Sequence, residues 1–357
     1  MGLATLLSRI LGMAREMVYA RFMGDGMVAS AFFYAFQVPN LFRRLLGEGA
    51  LTAAFIPLFK EREMQEGEKA MWEVANATLS ALITACSLVV ALLILVSTAM
   101  LHGLSLGLET MLFLKLMRWM SPYVLMVCIA AILMGTLNAR GYFFIPALGA
   151  TTMNLIMIAS VFWIAPGFGT ELIDQINGLA IGILVAGMAQ TCFQCPLLFK
   201  EGFRFRWIHP WKNETVRRLI QRILPGIVGV AAFQINILLT NAIAFSHGDH
   251  IVASFNYATR LMELPQGVFG VSLATFMLPM LSGLAAEKKY GAFQAGLRQG
   301  MQYLIFANWI ATTLTMVLAE PIVRLLFEGE RFDSSATQRA ALALQCLIPG
   351  LVSFSLV

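Results

Sequence analysis

Four long apolar runs, near Leu79 to Leu101, Tyr123 to Leu137, Ala147 to Ala165 and Gly178 to Leu198, constrain this chain more than any other feature. A membrane hydrocarbon core takes about 20 helical residues to cross, and these runs reach that length with their flanks. Only helices or a closed barrel can satisfy the backbone in lipid, and barrel strands would alternate apolar with polar residues. These runs do not alternate, so the expected fold class is an all-α polytopic membrane protein. Of the 357 residues, 59% are hydrophobic and 13% charged. Soluble domains usually carry about 25% charged residues.

Hydropathy and Pro/Gly punctuation predict about ten helices, near 3–23, 28–59, 70–101, 109–138, 143–165, 172–199, 216–246, 251–284, 293–318 and 335–357. The first residues lack a charged start, an uninterrupted apolar core and a cleavage site, so the first helix is expected to stay in the protein. Between these spans, Lys and Arg fall on alternate connections: Lys60, Arg62 and Lys69, then Arg140, then Lys200, Arg204, Arg206 and Lys212, then Lys288 and Lys289. The opposite connections near Asp25, His102, Gly167 and His247 have none, and only the last, with Arg324 and Arg331, breaks the pattern. The basic side is expected to be cytoplasmic, with the N-terminus there too. This asymmetry accounts for the net charge of +5 without a nucleic-acid partner.

The chain also resembles itself. "MVASAFFYAF" from Met27 matches "IVASFNYATR" from Ile251, "ALTAAFIPLF" from Ala50 matches "SLATFMLPML" from Ser272, and "LMRWMSPYVLMV" from Leu116 matches "ALQCLIPGLVSF" from Ala343. The offsets of 224, 222 and 227 imply two homologous six-helix bundles around a central cavity. Parallel repeats of this kind occur in transporters, with the substrate site between the halves. The expected division is an N-terminal lobe over 1–200, a basic cytoplasmic linker over 201–214, and a C-terminal lobe over 215–357. That second lobe holds about four helices and is read as truncated, because Val357 aligns near Ala130 of the first copy.

Charge at membrane depth points to function. "SRILGMAREMVYARFMG" places Arg9, Arg15 and Arg21 on the first helix. An arginine at mid-helix costs about 2.5–3.5 kcal/mol to insert. Arg21, near the helix end, can snorkel as an interface anchor. Arg9 and Arg15 lie about 240° apart around the helix, so they form no narrow stripe, yet they can line one broad cavity. In "VPNLFRRLLGEGALTAAFIP", Pro39 interrupts a helix that carries Arg43, Arg44 and Glu48, with Arg44 and Glu48 at ion-pair spacing. In "YATRLMELPQG", Arg260 and Glu263 sit one turn apart before Pro265. Several arginines with fewer carboxylates to neutralise them favour an anionic ligand over purely structural pairing.

The segments "SRILGMARE", "AFFYAFQVPNLFRRLLGEGALTAAFIP" and "NYATRLMELPQGVFGVSLATFMLP" resemble hallmark segments of the MurJ (MviN) lipid II flippases, of the multidrug/oligosaccharidyl-lipid/polysaccharide exporter superfamily. The resemblance runs over essentially the whole chain. It implies fourteen helices in a full-length member, about ten of them here, with a final pair that binds the lipid tail. It assigns substrate binding to Arg9, Arg15, Arg43 and Arg260, with cavity or gating support from Arg44, Glu48, Glu263, Ser30, Gln37 and Thr259. Ser30 and Thr259 stand where many relatives have Asp, and Gln37 where they have Lys, which is expected to leave Arg260 without its usual acidic neighbour. The implied activity is alternating-access transport of lipid II, not enzymatic catalysis. It needs no catalytic residue, metal or other cofactor, and coupling to sodium or to the membrane potential stays open. The expected partners are lipid II and membrane lipids, and the expected working state is a monomer in the bacterial inner membrane.

Other readings compete with this one. An exporter of another polyprenyl-pyrophosphate-linked glycan would share the arginines, whereas a drug or cation exporter would want acids inside. An enzyme acting on polyprenyl phosphates would need a carboxylate cluster. None of His102, His209, His247 and His250 lies beside a nucleophile motif, and the pair flanking Gly248 and Asp249 reads as a solvated turn. The C-x-x-C at Cys192 and Cys195 sits in an apolar helix and reads as packing. Gly178, Gly182 and Gly187 are expected to let their helix approach a neighbour closely.

Overall fold

The computed structural model describes residues 2–47, 50–210 and 213–356. Among them the regular structure is helical: α1 (Gly2–Met23), α2 (Met27–Phe42), α3 (Ala50–Glu66), α4 (Glu68–Gly103), α5 (Leu108–Met120), α6 (Tyr123–Ala139), α7 (Phe144–Trp163), α8 (Leu172–Lys200) and α9 (Glu214–His247), then α10 (Ile251–Pro265), α11 (Val271–Ala286), α12 (Tyr290–Val317), α13 (Ala319–Phe327), α14 (Ser334–Leu347) and α15 (Leu351–Leu356). The chain forms two compact units. One comprises Met1–Arg15 with Gly26–Val252, and the other Glu16–Asp25 with Ala253–Val357. α1 therefore contributes its first half to one unit and its second half to the other.

The α4, α7, α8 and α9 helices are long and apolar enough to cross a membrane, and the bent pairs α5–α6 and α12–α13 each pass the same test together. α9 shows why lipid is the expected solvent. Ile220, Leu224, Val228, Leu239 and Ile243 on it are all exposed, a pattern that water would penalise and hydrocarbon accepts.

Several expected single helices are broken, and each break follows from proline. Pro39 lies inside α2, and the backbone loosens into a π turn over Arg43–Gly47 before α3 begins. Pro265 ends α10 in the same way, followed by a π turn over Gln266–Gly270 and then α11. Proline supplies no N–H and its ring crowds the preceding turn, which weakens the ladder on its N-terminal side, and in both places the π turn follows on the C-terminal side. The span expected over 109–138 bends by 41° between α5 and α6 at Ser121 and Pro122. Its counterpart over 335–357 breaks at Ile348–Gly350, around Pro349. The internal repeat is thus present in the order of elements: helix, π turn, helix, long helix, then a proline-broken pair. The short α13 was not expected, and it turns away from α12 by 71° just before Pro321.

Close packing in the first unit rests on α8. A Cβ on Gly182 would overlap the Ser160 side chain of α7, one on Gly178 would lie 2.6 Å from Ala165 Cα, and one on Gly187 would lie 2.8 Å from the Tyr123 ring of α6. The glycine spacing therefore marks a close helix approach, as its sequence pattern indicated.

Candidate functional site

The first unit holds Arg9, Arg15, Ser30, Gln37, Arg43 and Arg44. Arg9 is exposed on α1, whereas Arg15 is 8% exposed. The Arg15 guanidinium donates from Nη1 to Asn154 Oδ1 of α7 at 3.0 Å and approaches Met157 Sδ at 3.7 Å. Asn154 is held in turn, because its Nδ2 donates to the Ser8 carbonyl at 3.3 Å. α1 and α7 thereby fix the Arg15 side chain through a neutral amide.

Arg43 opens the π turn and its Nε donates to Asn40 Oδ1 at 2.7 Å, one turn back on α2. Pro39, Asn40 and Arg43 thus lie together where α2 passes into the π turn. Arg44 is half-buried in the same turn, and Glu48, its expected partner, lies outside the described residues. Ser30 is fully buried on α2. Gln37 accepts a short hydrogen bond from Asn241 Nδ2 of α9, and Tyr34, one turn earlier, stacks on Phe113 of α5 at 4.5 Å between ring centres. Phe245 of α9 completes that aromatic cluster at 5.2 Å from Tyr34.

The second unit holds Thr259, Arg260 and Glu263. Arg260 is paired despite the neutral residue at 259. Its Nη1 donates to Glu263 Oε2 at 2.8 Å, and its Nε lies 3.4 Å from Glu16 Oε1 on α1. Glu16 is 2% exposed, so its carboxylate needs a cationic partner where it sits. Thr259 is half-buried beside it in sequence and takes no part in this pairing. Glu16 and Glu263 are thus the acidic neighbours of Arg260, and among the described residues Arg260 Nη2 makes no hydrogen bond and can take a ligand oxygen.

Two further acids matter here that sequence reasoning passed over. Glu16 stands inside "SRILGMARE", next to Arg15, but nothing in the sequence shows that it turns toward Arg260. Asp25, read only as a loop residue, is 4% exposed and accepts both arms of Arg339 of α14, at 2.7 and 2.8 Å. Ser254 Oγ adds a third donor at 3.2 Å, and Tyr257 donates to the Gly24 carbonyl at 3.0 Å. The usable signal was the pair of buried-type acids flanking the second half of α1.

A separate polar cluster joins the ends of α3, α6 and α8. Arg140 reaches Glu63 at 2.8 Å, Glu201 at 3.0 Å and Glu68 at 3.3 Å. Tyr142 Oη donates to Glu201 Oε1 at 2.7 Å. The hydrogen bond from Tyr142, then that from Arg140, hold the Glu201 carboxyl below the ordinary carboxylate range.

Comparison with known proteins fixes the family. A family described as lipid II flippase MurJ matches residues 19–357. The chain belongs to the MurJ family. It is 30% identical over 365 residues to a probable lipid II flippase MurJ of Vibrio cholerae, covering 99% of this chain and 69% of that protein. It is 32% identical over 364 residues to a probable lipid II flippase MurJ of Treponema pallidum, covering 100% and 68%. Among solved structures, lipid II flippase MurJ in an inward closed conformation superposes with a TM-score of 0.81 at 25% identity, over 99% of this chain and 73% of that one. An inward-facing multidrug resistance MATE family transporter of the MOP superfamily reaches 0.79 at 15% identity, over 98% and 78%, which speaks to the fold alone. The expected all-α transporter fold of this superfamily is therefore the one the MurJ chain adopts.

Proposed function

We propose that this MurJ-family chain is a lipid II flippase, which moves the undecaprenyl-pyrophosphate-linked disaccharide-pentapeptide from the cytoplasmic to the periplasmic leaflet by alternating access. The observation that carries the proposal is the family match from residue 19 to 357, in a chain that keeps the arginines at membrane depth. Arg9, Arg15, Arg43 and Arg260 are assigned to the pyrophosphate. Guanidinium forks pair with phosphate oxygens two at a time and stay charged at every stage of transport. Arg44, Glu48, Glu263, Ser30, Gln37 and Thr259 support the cavity and its gating, and Glu16 joins them on the strength of its pairing with Arg260.

The chain works as a monomer in the bacterial cytoplasmic membrane, with its N-terminus and the basic connections in the cytoplasm, where anionic lipid and the positive-inside bias hold them. The three-part division into an N-terminal lobe over 1–200, a linker over 201–214 and a C-terminal lobe from 215 follows the internal repeat. No bound cofactor is assigned to transport, and coupling to sodium or to the membrane potential stays open.

The test is complementation. Expression of the full-length gene in a bacterium depleted of its own lipid II flippase should restore growth and cell shape. Membrane-inserted protein that leaves the cells to lyse would overturn the proposal.

A further inference from the structure

An apolar crevice of about 200 Å³ lies in the first unit beside the basic ends of α6 and α8. Leu79 of α4, Leu133 of α6 and Cys195 of α8 wall it, and Phe203 and Phe205, just past α8, close it. Its one hydroxyl, that of Thr191, is spent on the carbonyls of Met126 and Gly187, each at 2.9 Å. Cys195 Sγ is turned to the Thr191 carbonyl at 3.4 Å. A polar solute entering this crevice would lose its water and find nothing in exchange, whereas a hydrocarbon chain would lose nothing.

Leu133 and Cys195 lie six and five residues from the ends of their helices, about 7.5–9 Å in at the rise of an α-helix, and α8 is long and apolar enough to cross a membrane.

The segment that closes the crevice has a second property. Phe203, Arg204, Phe205, Arg206 and Trp207 alternate aromatic and basic residues along a stretch outside the helices. Buried side chains of α4 pin the backbone there. Asn76 accepts from Arg206 N at 2.9 Å and donates to the Arg204 carbonyl at 3.1 Å, and Ser80 Oγ accepts from Ile208 N at 3.1 Å. Phe203 and Phe205 line the crevice, and Trp207 packs edge-on against Phe205 at 6.5 Å. Arg204 and Arg206 are both exposed, and among the described residues neither forms an ion pair; Arg204 donates to the Phe199 and Phe203 carbonyls at 3.3 and 3.1 Å, and its guanidinium lies 5.9 Å from the ring centre of Phe199, which lines the crevice. Trp and Arg at this level match the headgroup region of a bilayer.

An apolar slot beside two exposed arginines, neither of them in an ion pair among the described residues, suits an amphiphile with a hydrocarbon chain and an anionic head. We infer that this is a binding site for an anionic glycerophospholipid of the leaflet on the basic side, with one acyl chain in the crevice and the phosphate against Arg204 and Arg206. The site is separate from the arginines assigned to lipid II, and its test does not depend on transport.

The full chain is reconstituted into phosphatidylcholine nanodiscs with a trace of phosphatidylglycerol bearing a diazirine in its acyl chain, and in parallel with the matching phosphatidylcholine probe. After irradiation, labelled peptides are mapped by mass spectrometry. The phosphatidylglycerol probe should label peptides over 129–133 and 191–205 about tenfold more than the phosphatidylcholine probe, as expected for two arginines acting on one anionic head. Arg204→Gln with Arg206→Gln, a change confined to exposed side chains, should bring the two probes level. Thr191→Phe should fill the crevice and remove its labelling by either probe. Equal labelling of unaltered protein by both probes, or labelling confined to lipid-facing positions such as Leu92 and Leu95, would overturn the inference. So would displacement of the label by undecaprenyl pyrophosphate but not by phosphatidylglycerol, which would make the crevice a port for the transported lipid.

Discussion

Glu16 and Arg260, 244 positions apart in sequence, form an ion pair at 3.4 Å in which the carboxylate is 2% exposed and the guanidinium is shared with Glu263. Both acids compete with any anionic ligand for the same cation. Because Glu16 is buried, its charge is poorly screened, whereas Glu263, nearer at 2.8 Å, is 41% exposed and screened by solvent.

Glu16→Gln keeps the shape and removes the competing charge. Lipid II should then bind about tenfold more tightly, a change of about 1.4 kcal/mol, and leave more slowly. Complementation should weaken, since a carrier must release its load. Glu263→Gln should act in the same direction with a smaller effect. A titration of lipid II onto each purified full-length variant measures this, and weaker binding by Glu16→Gln would show that the carboxylate positions Arg260 instead of competing for its charge.

The assigned arginines differ from lysine in geometry and not in charge. Arg15 spends Nη1 on Asn154, so a lysine there could hold either the amide or the ligand with its single ammonium. Arg9→Lys, Arg15→Lys, Arg43→Lys and Arg260→Lys should each lower lipid II affinity about tenfold, and the alanine variants should nearly abolish transport. Arg21, exposed near the end of α1, should tolerate lysine. The measurement is lipid II binding and complementation for each variant, with membrane insertion checked in parallel. If Arg15→Ala inserts, binds lipid II and supports growth like the parent, the arginines are structural.

Much of this was legible in the sequence, for physical reasons. Long apolar runs announce membrane helices because lipid leaves the backbone no other solution, and the repeat survives in ASAFFYAF and ASFNYATR because both copies build the same helix and π turn. The breaks at Pro39 and Pro265 could be anticipated from proline's missing N–H. The bend at Pro122 and the short α13 could not, since proline near a helix end either starts a new helix or interrupts an old one, and hydropathy does not distinguish the two. Partners were least legible. That Arg15 turns to Asn154, Glu16 to Arg260 and Asp25 to Arg339 depends on helices brought together over 139, 244 and 314 positions, which no local pattern encodes.

The α7–α8 contact has no space for a methyl group at Gly182, where a Cβ would overlap Ser160. Gly182→Ala should therefore destabilise the protein by about 1–3 kcal/mol, as overpacking does in a filled core. Gly229, inside α9, has open space around its missing Cβ. Gly229→Ala should stabilise by up to about 1 kcal/mol through helix propensity alone. Thermal unfolding in detergent compares the two, and equal effects would mean that the glycine spacing in α8 does not govern packing.

The Arg140 cluster gives a pH dependence whose sign can be worked out. Glu201 is held below the usual carboxylate range by Tyr142 first and Arg140 second, so the folded state binds its proton less readily than the unfolded chain does. Its contribution is fully present above the unfolded value of about 4.3 and is lost as pH falls through the lower folded value. Tyr142→Phe removes the larger cause while leaving the ring in place. Its melting temperature should fall below that of the parent by a constant margin from about pH 8 to pH 5, and the margin should begin to close as the pH drops below about 4.3 and vanish only below the depressed folded value, where the carboxyl is neutral in both states. Parallel melting curves down to pH 3, with the margin unchanged, would mean that Tyr142 stabilises this corner by packing and not through the Glu201 charge.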